Sequence, residues 1–222
     1  MPLRVFAVVP VKKVSEGKSR LTQVLDPAFR TGLILAMLED VLSTLRKARL
    51  LEGGLVVSPS TEVSKLAKLY GFGFLKETSS RGLNAAVELG VKAVYGLGAE
   101  AALIVPADIP LVEPEDLDRL ISTGLKLRKP FMVIAPSHDG GTNALLVTLP
   151  TPLRFRFGPE SFEAHLEEAL RHGLSVEVYS CSRVGLDLDD EDDIRLILEL
   201  GKHKKTGRYL REKLSPRGKV PF

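Results

Sequence analysis

Short apolar runs that alternate with amphipathic stretches of helical period place this chain in the α/β class, with a mostly parallel sheet assembled from βαβ units. Two further features agree. Runs such as Ala101 to Val105 lack polar alternation, as strands covered by helices on both faces do. With 222 residues, 44% hydrophobic and 27% charged, the chain also lies in the range where one core still grows without splitting.

The first strand is expected over Arg4 to Val9, and a long loop, Pro10 to Leu25, follows it. The first helix begins at Asp26-Pro27, a capping residue and the proline favoured at the first helical position, and keeps apolar residues at helical spacing through Leu45. Short apolar runs then mark strands at Leu55 to Ser58, Phe72 to Leu75, Ala101 to Val105, Phe131 to Ala135, Ala144 to Leu149 and Ser175 to Tyr179. Amphipathic stretches mark the helices between and after them at Thr61 to Tyr70, Leu83 to Tyr95, Glu115 to Leu127, Glu160 to Arg171 and Glu191 to Leu200. No internal repeat or linker interrupts the order. The expectation is a single Rossmann-like domain over residues 1–201 with a basic tail over 202–222.

Ligands of open α/β sheets gather beyond the carboxyl ends of the strands. In AALIVPADIP the apolar run stops at one carboxylate, Asp108, held between Pro106 and Pro110. An acid there can also cap the next helix, but Pro110 and Pro114 keep the segment up to Glu113 extended, and Glu113 or Glu115 can serve that helix instead. A second acidic cluster, GLDLDDEDD, runs from Gly185 to Asp193. Asp187 and Asp189 alternate on an extended segment, so they point the same way and can complete a magnesium site with Asp108. Asp190 to Asp193 suit a helix cap and its dipole.

The loop PVKKVSEGKSRL carries Lys12, Lys13, Lys18 and Arg20. Cations above a sheet edge can pair with a nucleotide's triphosphate, and Gly17 lets backbone approach it closely; a solvated basic loop is the plainer use of the same charge. Gly17-Lys18-Ser19 also resembles the end of a P-loop. That motif, however, needs glycine five places before Gly17, where Lys12 stands, and a helix at once rather than after Asp26.

A third constellation joins Ser137 to Asn143, SHDGGTN, with Arg154 to Phe162, RFRFGPESF. Gly158 and Pro159 open a helix whose N–H groups and dipole attract an anion, Ser161 adds a hydroxyl, and Arg154 and Arg156 add charge. Thr142 can donate from the glycine turn opposite, so the set reads as an acceptor pocket, although Gly140-Gly141 alone also suits a hairpin. His138 and Asp139 are adjacent and accompany no nucleophile motif, which argues against a catalytic dyad.

Some classes are excluded. A single cysteine, Cys181, leaves no internal disulfide and no thiolate-rich zinc site. Apolar segments too short to span a bilayer, and an N-terminus that runs directly into a strand, point to the cytoplasm. Gln23, Asn84 and Asn143 are the only side-chain amides, a bias that fits a thermophilic source. Asn84 and Asn143 therefore read as purposeful, although each also suits a glycine-containing turn.

Together, PVKKVSEGKSRL, RGLNAAVE, VPADIPLV, SHDGGTNALL, FRFGPESFEAH and GLDLDDEDD, spread in order from Val5 to Asp193, resemble the 2-phospho-L-lactate guanylyltransferase (CofC-type) family, with its phosphoenolpyruvate-using relatives, which serves biosynthesis of coenzyme F-420. The resemblance implies a nucleotide-diphospho-sugar transferase type of fold and GMP transfer from GTP to a small phosphorylated three-carbon acid. It implies Thr142, Gly158 and Ser161 at the phosphoacid, and Mg2+ on Asp108 with Asp187 or Asp189. Gly82, Leu83 and Asn84 would lie near the guanosine, and Lys12, Lys18 and Arg20 near the triphosphate, with Lys18, Arg20 and Asp108 carrying the catalysis. The G-x-G-x-R loop of sugar nucleotidyltransferases is absent, which argues against sugar phosphates.

The tail from Lys202 to Phe222 holds eight Lys or Arg against one acid, Glu212. Without aromatic interleaving beyond Tyr209, a solvated helix or a homodimer contact fits better than RNA binding. Gly17-Lys18-Ser19 and the tail keep a GTP-dependent switch or RNA-binding module as the alternative.

Overall fold

The structure, a computed structural model, describes residues 3–14, 18, 21, 25–77 and 82–214. In chain order the elements are β1 (Val5–Pro10), α1 (Pro27–Lys47), β2 (Gly53–Ser58), α2 (Thr61–Leu69), β3 (Gly73–Lys76), α3 (Leu83–Gly96), β4 (Ala101–Ile104), α4 (Pro114–Gly124), β5 (Phe131–Pro136), β6 (Thr142–Thr148), α5 (Ser161–Arg171), β7 (Ser175–Val178), α6 (Ser182–Gly185), α7 (Glu191–Leu200) and α8 (Lys205–Leu214). All seven strands join one sheet in the order β3-β2-β1-β4-β6-β5-β7. The expected α/β architecture is present, and every pairing is parallel except those of β6, which runs antiparallel to both β4 and β5.

Alternate side chains of the central strands feed two cores. Val5, Ala7, Val9, Leu103, Val133 and Leu146 face a layer formed by α1, α2, α4, α7 and α8. Val8, Ala102, Ile104, Met132, Ile134 and Leu145 face α3 and α5. Strands buried on both faces explain why polar alternation is missing from the sequence.

Local chemistry sets the helix starts. Asp26 accepts from the Phe29 N–H at 2.8 Å, and Pro27 follows it, as expected from sequence. Asp190 accepts from the N–H groups of Asp192 and Asp193, and Asp193 in turn accepts from the Asp190 N–H, a reciprocal cap that fixes the start of α7. Glu113 precedes α4, where its N–H donates to Asp116 at 3.1 Å.

The expectation of a solvated helix in the tail is corrected for residues 205–214. Helix α8 packs on α1, with Thr206, Gly207 and Leu210 buried. The buried Asp40 carboxylate accepts from the Lys205 N–H, the Thr206 N–H and the Thr206 hydroxyl, which satisfies the start of α8 from across the core. Gly32 leaves room for the Tyr209 ring, since a Cβ there would collide with it. Among the described residues no helix is long and apolar enough to cross a membrane.

Candidate active site

Sheet order concentrates chemistry at one edge. β1 and β4 are parallel neighbours, so the loop after β1 and the turn holding Asp108 leave the sheet on the same side. β6 is antiparallel, with Leu145 paired to Ile104, so its first residues, Thr142 and Asn143, begin at that same edge. A register irregularity between Ala135 and Pro136 opposite Thr142 bends the ladder where the site begins. A cavity of about 670 Å³ lies there, and its walls include Lys18, Asp108, Thr142, Gly158, Ser161 and Asp187.

Three carboxylates converge. Oxygens of Asp108, Asp187 and Asp189 lie within 4.8 Å of one another. Backbone pairing brings them together, because the Leu188 N–H donates to the Asp108 carbonyl at 3.0 Å. Leu188 is fully buried, which leaves the alternating Asp187 and Asp189 facing the cavity. The buried Asn143 amide donates to the Val184 carbonyl at 3.0 Å and to Asp187 at 3.1 Å, so it holds that carboxylate in place. Burial pushes the Asp187 carboxyl up to about 6; the Asn143 hydrogen bond opposes this, and the negative charges of Asp108 and Asp189 add to it.

Lys18 lies within this cluster, its ammonium 2.7 Å from both Asp108 and Asp189 and only 7% exposed. Burial opposes its charge, but the two carboxylates outweigh burial and hold its pKa above the ordinary lysine value. Hard oxygen donors suit a divalent cation, and the buried ammonium is held by the same negative charge. The three acids therefore fit a divalent metal.

A second part of the cavity wall is a polar relay. Ser161 donates to the Thr142 hydroxyl oxygen at 3.1 Å, and that oxygen lies 3.1 Å from His165 Nδ1. His165 Nε2 accepts from the Arg156 N–H at 3.0 Å, and its ring packs edge-on against Phe157. The strandless segment from Leu153 to Gly158 hangs on side chains. Glu168 accepts from the Arg154 N–H, while Asn84 both accepts from the Phe157 N–H at 2.7 Å and donates to its carbonyl at 3.2 Å. Gly158 has φ 138°, a conformation that suits glycine.

The site residues expected from sequence fall into distinct places. Lys12, Lys18, Leu83, Asp108, Thr142, Gly158, Ser161, Asp187 and Asp189 all line the one cavity. Gly82 caps α3 beside Leu83. The Asn84 amide is spent on Phe157, and Arg20 lies outside the described residues. Arg154 and Arg156 alternate with buried Leu153 and Phe155 and are exposed, so they stand outside the pocket wall. The first turn of α5 is less free than expected, because the Ser161 and Phe162 N–H groups donate to the Gly158 and Gly140 carbonyls. His165 was not among the expected site residues; its spacing of four from Ser161, which puts both on one helix face, is the sequence clue.

The chain matches the family model "Guanylyl transferase CofC like" over residues 5–215. It is 46% identical over 193 residues to a phosphoenolpyruvate guanylyltransferase of Rubrobacter xylanophilus, covering 86% of this chain and 92% of that one. It is 34% identical over 210 residues to a 2-phospho-L-lactate guanylyltransferase of Methanothermobacter thermautotrophicus, covering 95% and 91%. Its fold is similar to that of a solved nucleotidyl transferase from the same organism, with a TM-score of 0.66 at 17% identity over 94% of this chain and 99% of the other. With an acidic cluster and two hydroxyls lining one cavity at the sheet edge, this chain is a nucleotidyltransferase that belongs to the CofC-like guanylyl transferase family.

Proposed function

We propose that the protein joins GMP from GTP to 2-phospho-L-lactate or phosphoenolpyruvate with release of pyrophosphate, as a step of coenzyme F-420 biosynthesis. The observation that carries this reading is the convergence of Asp108, Asp187 and Asp189 in one cavity with the Thr142 and Ser161 hydroxyls. The relatives' acceptors, phosphoenolpyruvate and 2-phospho-L-lactate, support the choice of a small phosphorylated three-carbon acid.

The chemistry needs little from a protein base. A phosphomonoester has its second pKa at about 6, so near neutral pH its oxygen is already an anionic nucleophile. That oxygen attacks the α-phosphorus of GTP, a new P–O bond forms, and the bond to the β-phosphate breaks with its electrons leaving on pyrophosphate. The remaining tasks are alignment and relief of repulsion between two anions. Asp108, Asp187 and Asp189 would hold Mg2+, which when bound neutralises phosphate charge and orients oxygens. Lys12, Lys18 and Arg20 pair with the triphosphate, and Gly82 and Leu83 lie toward the guanosine. Thr142 donates to the phosphoacid beside Gly158, and Ser161, whose proton goes to the Thr142 oxygen, stands beside it in the same wall. Asn84 acts indirectly, by fixing the Phe157 backbone that leads into Gly158.

Incubation of the protein with GTP, Mg2+ and either phosphoacid tests the proposal. Pyrophosphate released only when the acceptor is present supports it. Free phosphate released without an acceptor overturns it in favour of a GTP-hydrolysing switch.

A further inference from the structure

We propose that His165 is a positioning residue that fixes the Thr142 hydroxyl as a hydrogen-bond donor into the cavity, so that this wall takes an anionic oxygen of the acceptor and rejects a donor group. The inference rests on the reading above in one respect, that Thr142 meets the phosphoacid.

The imidazole is fully buried, and its two nitrogens have different partners. A backbone N–H can only donate, and the Arg156 N–H points at Nε2 at 3.0 Å. Nε2 must therefore carry a lone pair, and a neutral ring holds its single proton on Nδ1. That proton faces the Thr142 oxygen at 3.1 Å, with the Ser161 carbonyl as a second acceptor beside it. The same oxygen accepts from the Ser161 hydroxyl at 3.1 Å. With both lone pairs of Thr142 engaged, its own proton has no role left in the relay and turns to the cavity that Thr142 lines. Polarity thus runs one way, from the Arg156 N–H through the ring to the threonine.

The groups facing the ring keep it neutral. Burial pushes His165 down to about 4; the Ser161 carbonyl opposes this, the Arg156 charge adds to it, and Glu168 opposes it. Phe157 covers one side of the ring edge-on and brings no charge. A neutral ring keeps the proton order constant over the range in which the phosphoacid is dianionic.

Two experiments test the assignment. The first needs no substrate: 15N NMR of the wild-type histidine rings. His165 is expected to show a protonated Nδ1 and a bare Nε2, unchanged between about pH 5.5 and about pH 8. A proton on Nε2, or titration in the range of a free imidazole, overturns the proposal. The second is a double-mutant cycle with His165→Gln and Thr142→Val, read in pyrophosphate release. Glutamine can keep an acceptor for the Arg156 N–H while withdrawing the donor from Thr142. His165→Gln is expected to raise the KM for the phosphoacid about 10–100-fold with the KM for GTP held. The same change made in Thr142→Val is expected to cost less than about twofold more. Independent, multiplying losses would show that His165 acts without Thr142 and overturn the proposal. A wild-type enzyme that forms no product with either phosphoacid would instead overturn the proposed function, while the ring spectra still decide the proton order.

Discussion

Replacing Asp187 with asparagine should make the metal-free protein more stable and the enzyme worse. The carboxyl is pushed from its ordinary 3.8 to about 6, by burial first and then by Asp108 and Asp189 against the Asn143 hydrogen bond. Each unit corresponds to about 1.4 kcal/mol, which gives roughly 3 kcal/mol as an upper bound on the cost of ionising Asp187 in the folded state. Asp187 is partly exposed, so solvent screening reduces this to about 1–2 kcal/mol. The sign follows from linkage. Below about pH 4 folded and unfolded chains both hold the proton and no cost appears. As pH rises toward 6 the folded state holds it more tightly than the unfolded chain, so Asp187 lowers stability progressively, with the full cost above the folded pKa. Asparagine keeps an oxygen that accepts from Asn143 and removes the charge. Thermal unfolding in a chelator at pH 8 should therefore give Asp187→Asn a Tm higher by about 2–8 °C, a gain that fades toward pH 4. Added Mg2+ should raise wild type and move the variant less. A variant no more stable than wild type at pH 8 in chelator, or a gain independent of pH, refutes the reasoning.

Asp108→Asn should cut pyrophosphate release by about 100-fold or more while the circular dichroism spectrum and melting cooperativity stay those of wild type; undiminished turnover would remove Asp108 from the site. Asn84→Ala strands the N–H and carbonyl of Phe157, which should cost about 1–2 kcal/mol in urea unfolding and raise the KM for the phosphoacid with little change for GTP. Asp40→Ala removes the acceptor for three donors at the start of α8, which should cost about 2–4 kcal/mol and speed amide exchange in residues 205–214 before the rest of the sheet.

The strands and most helices were legible because their signals are local. Apolar runs such as Ala101 to Val105 and the Asp26-Pro27 cap carry their meaning within a few residues. The pair Asp187 and Asp189 was legible for the same reason, since alternation on an extended segment fixes a shared direction. Long-range facts were not. Antiparallel β6, which delivers Thr142 to the site edge, depends on which neighbours β5 and β4 leave for it. Helix α8 reads as solvated because half of its residues are charged, yet its cap, Asp40, lies 166 residues from Thr206. The ion pairs of Lys18 with Asp108 and Asp189, partners 90 and 171 residues away, were not legible either. The spacing of four from Ser161 puts His165 on the same helix face, but the partners of its two nitrogens emerge only from the packing of α5 on the Leu153 to Gly158 segment.

Anomalous diffraction from crystals grown with Mn2+, a non-hydrolysable GTP analogue and the phosphoacid tests the site most directly. Manganese ligated by Asp108, Asp187 and Asp189, with an acceptor oxygen within hydrogen-bond reach of Thr142 and Ser161, is the predicted result. Manganese bound elsewhere, with those carboxylates still paired to Lys18 and the hydroxyl wall touching no substrate, would contradict it.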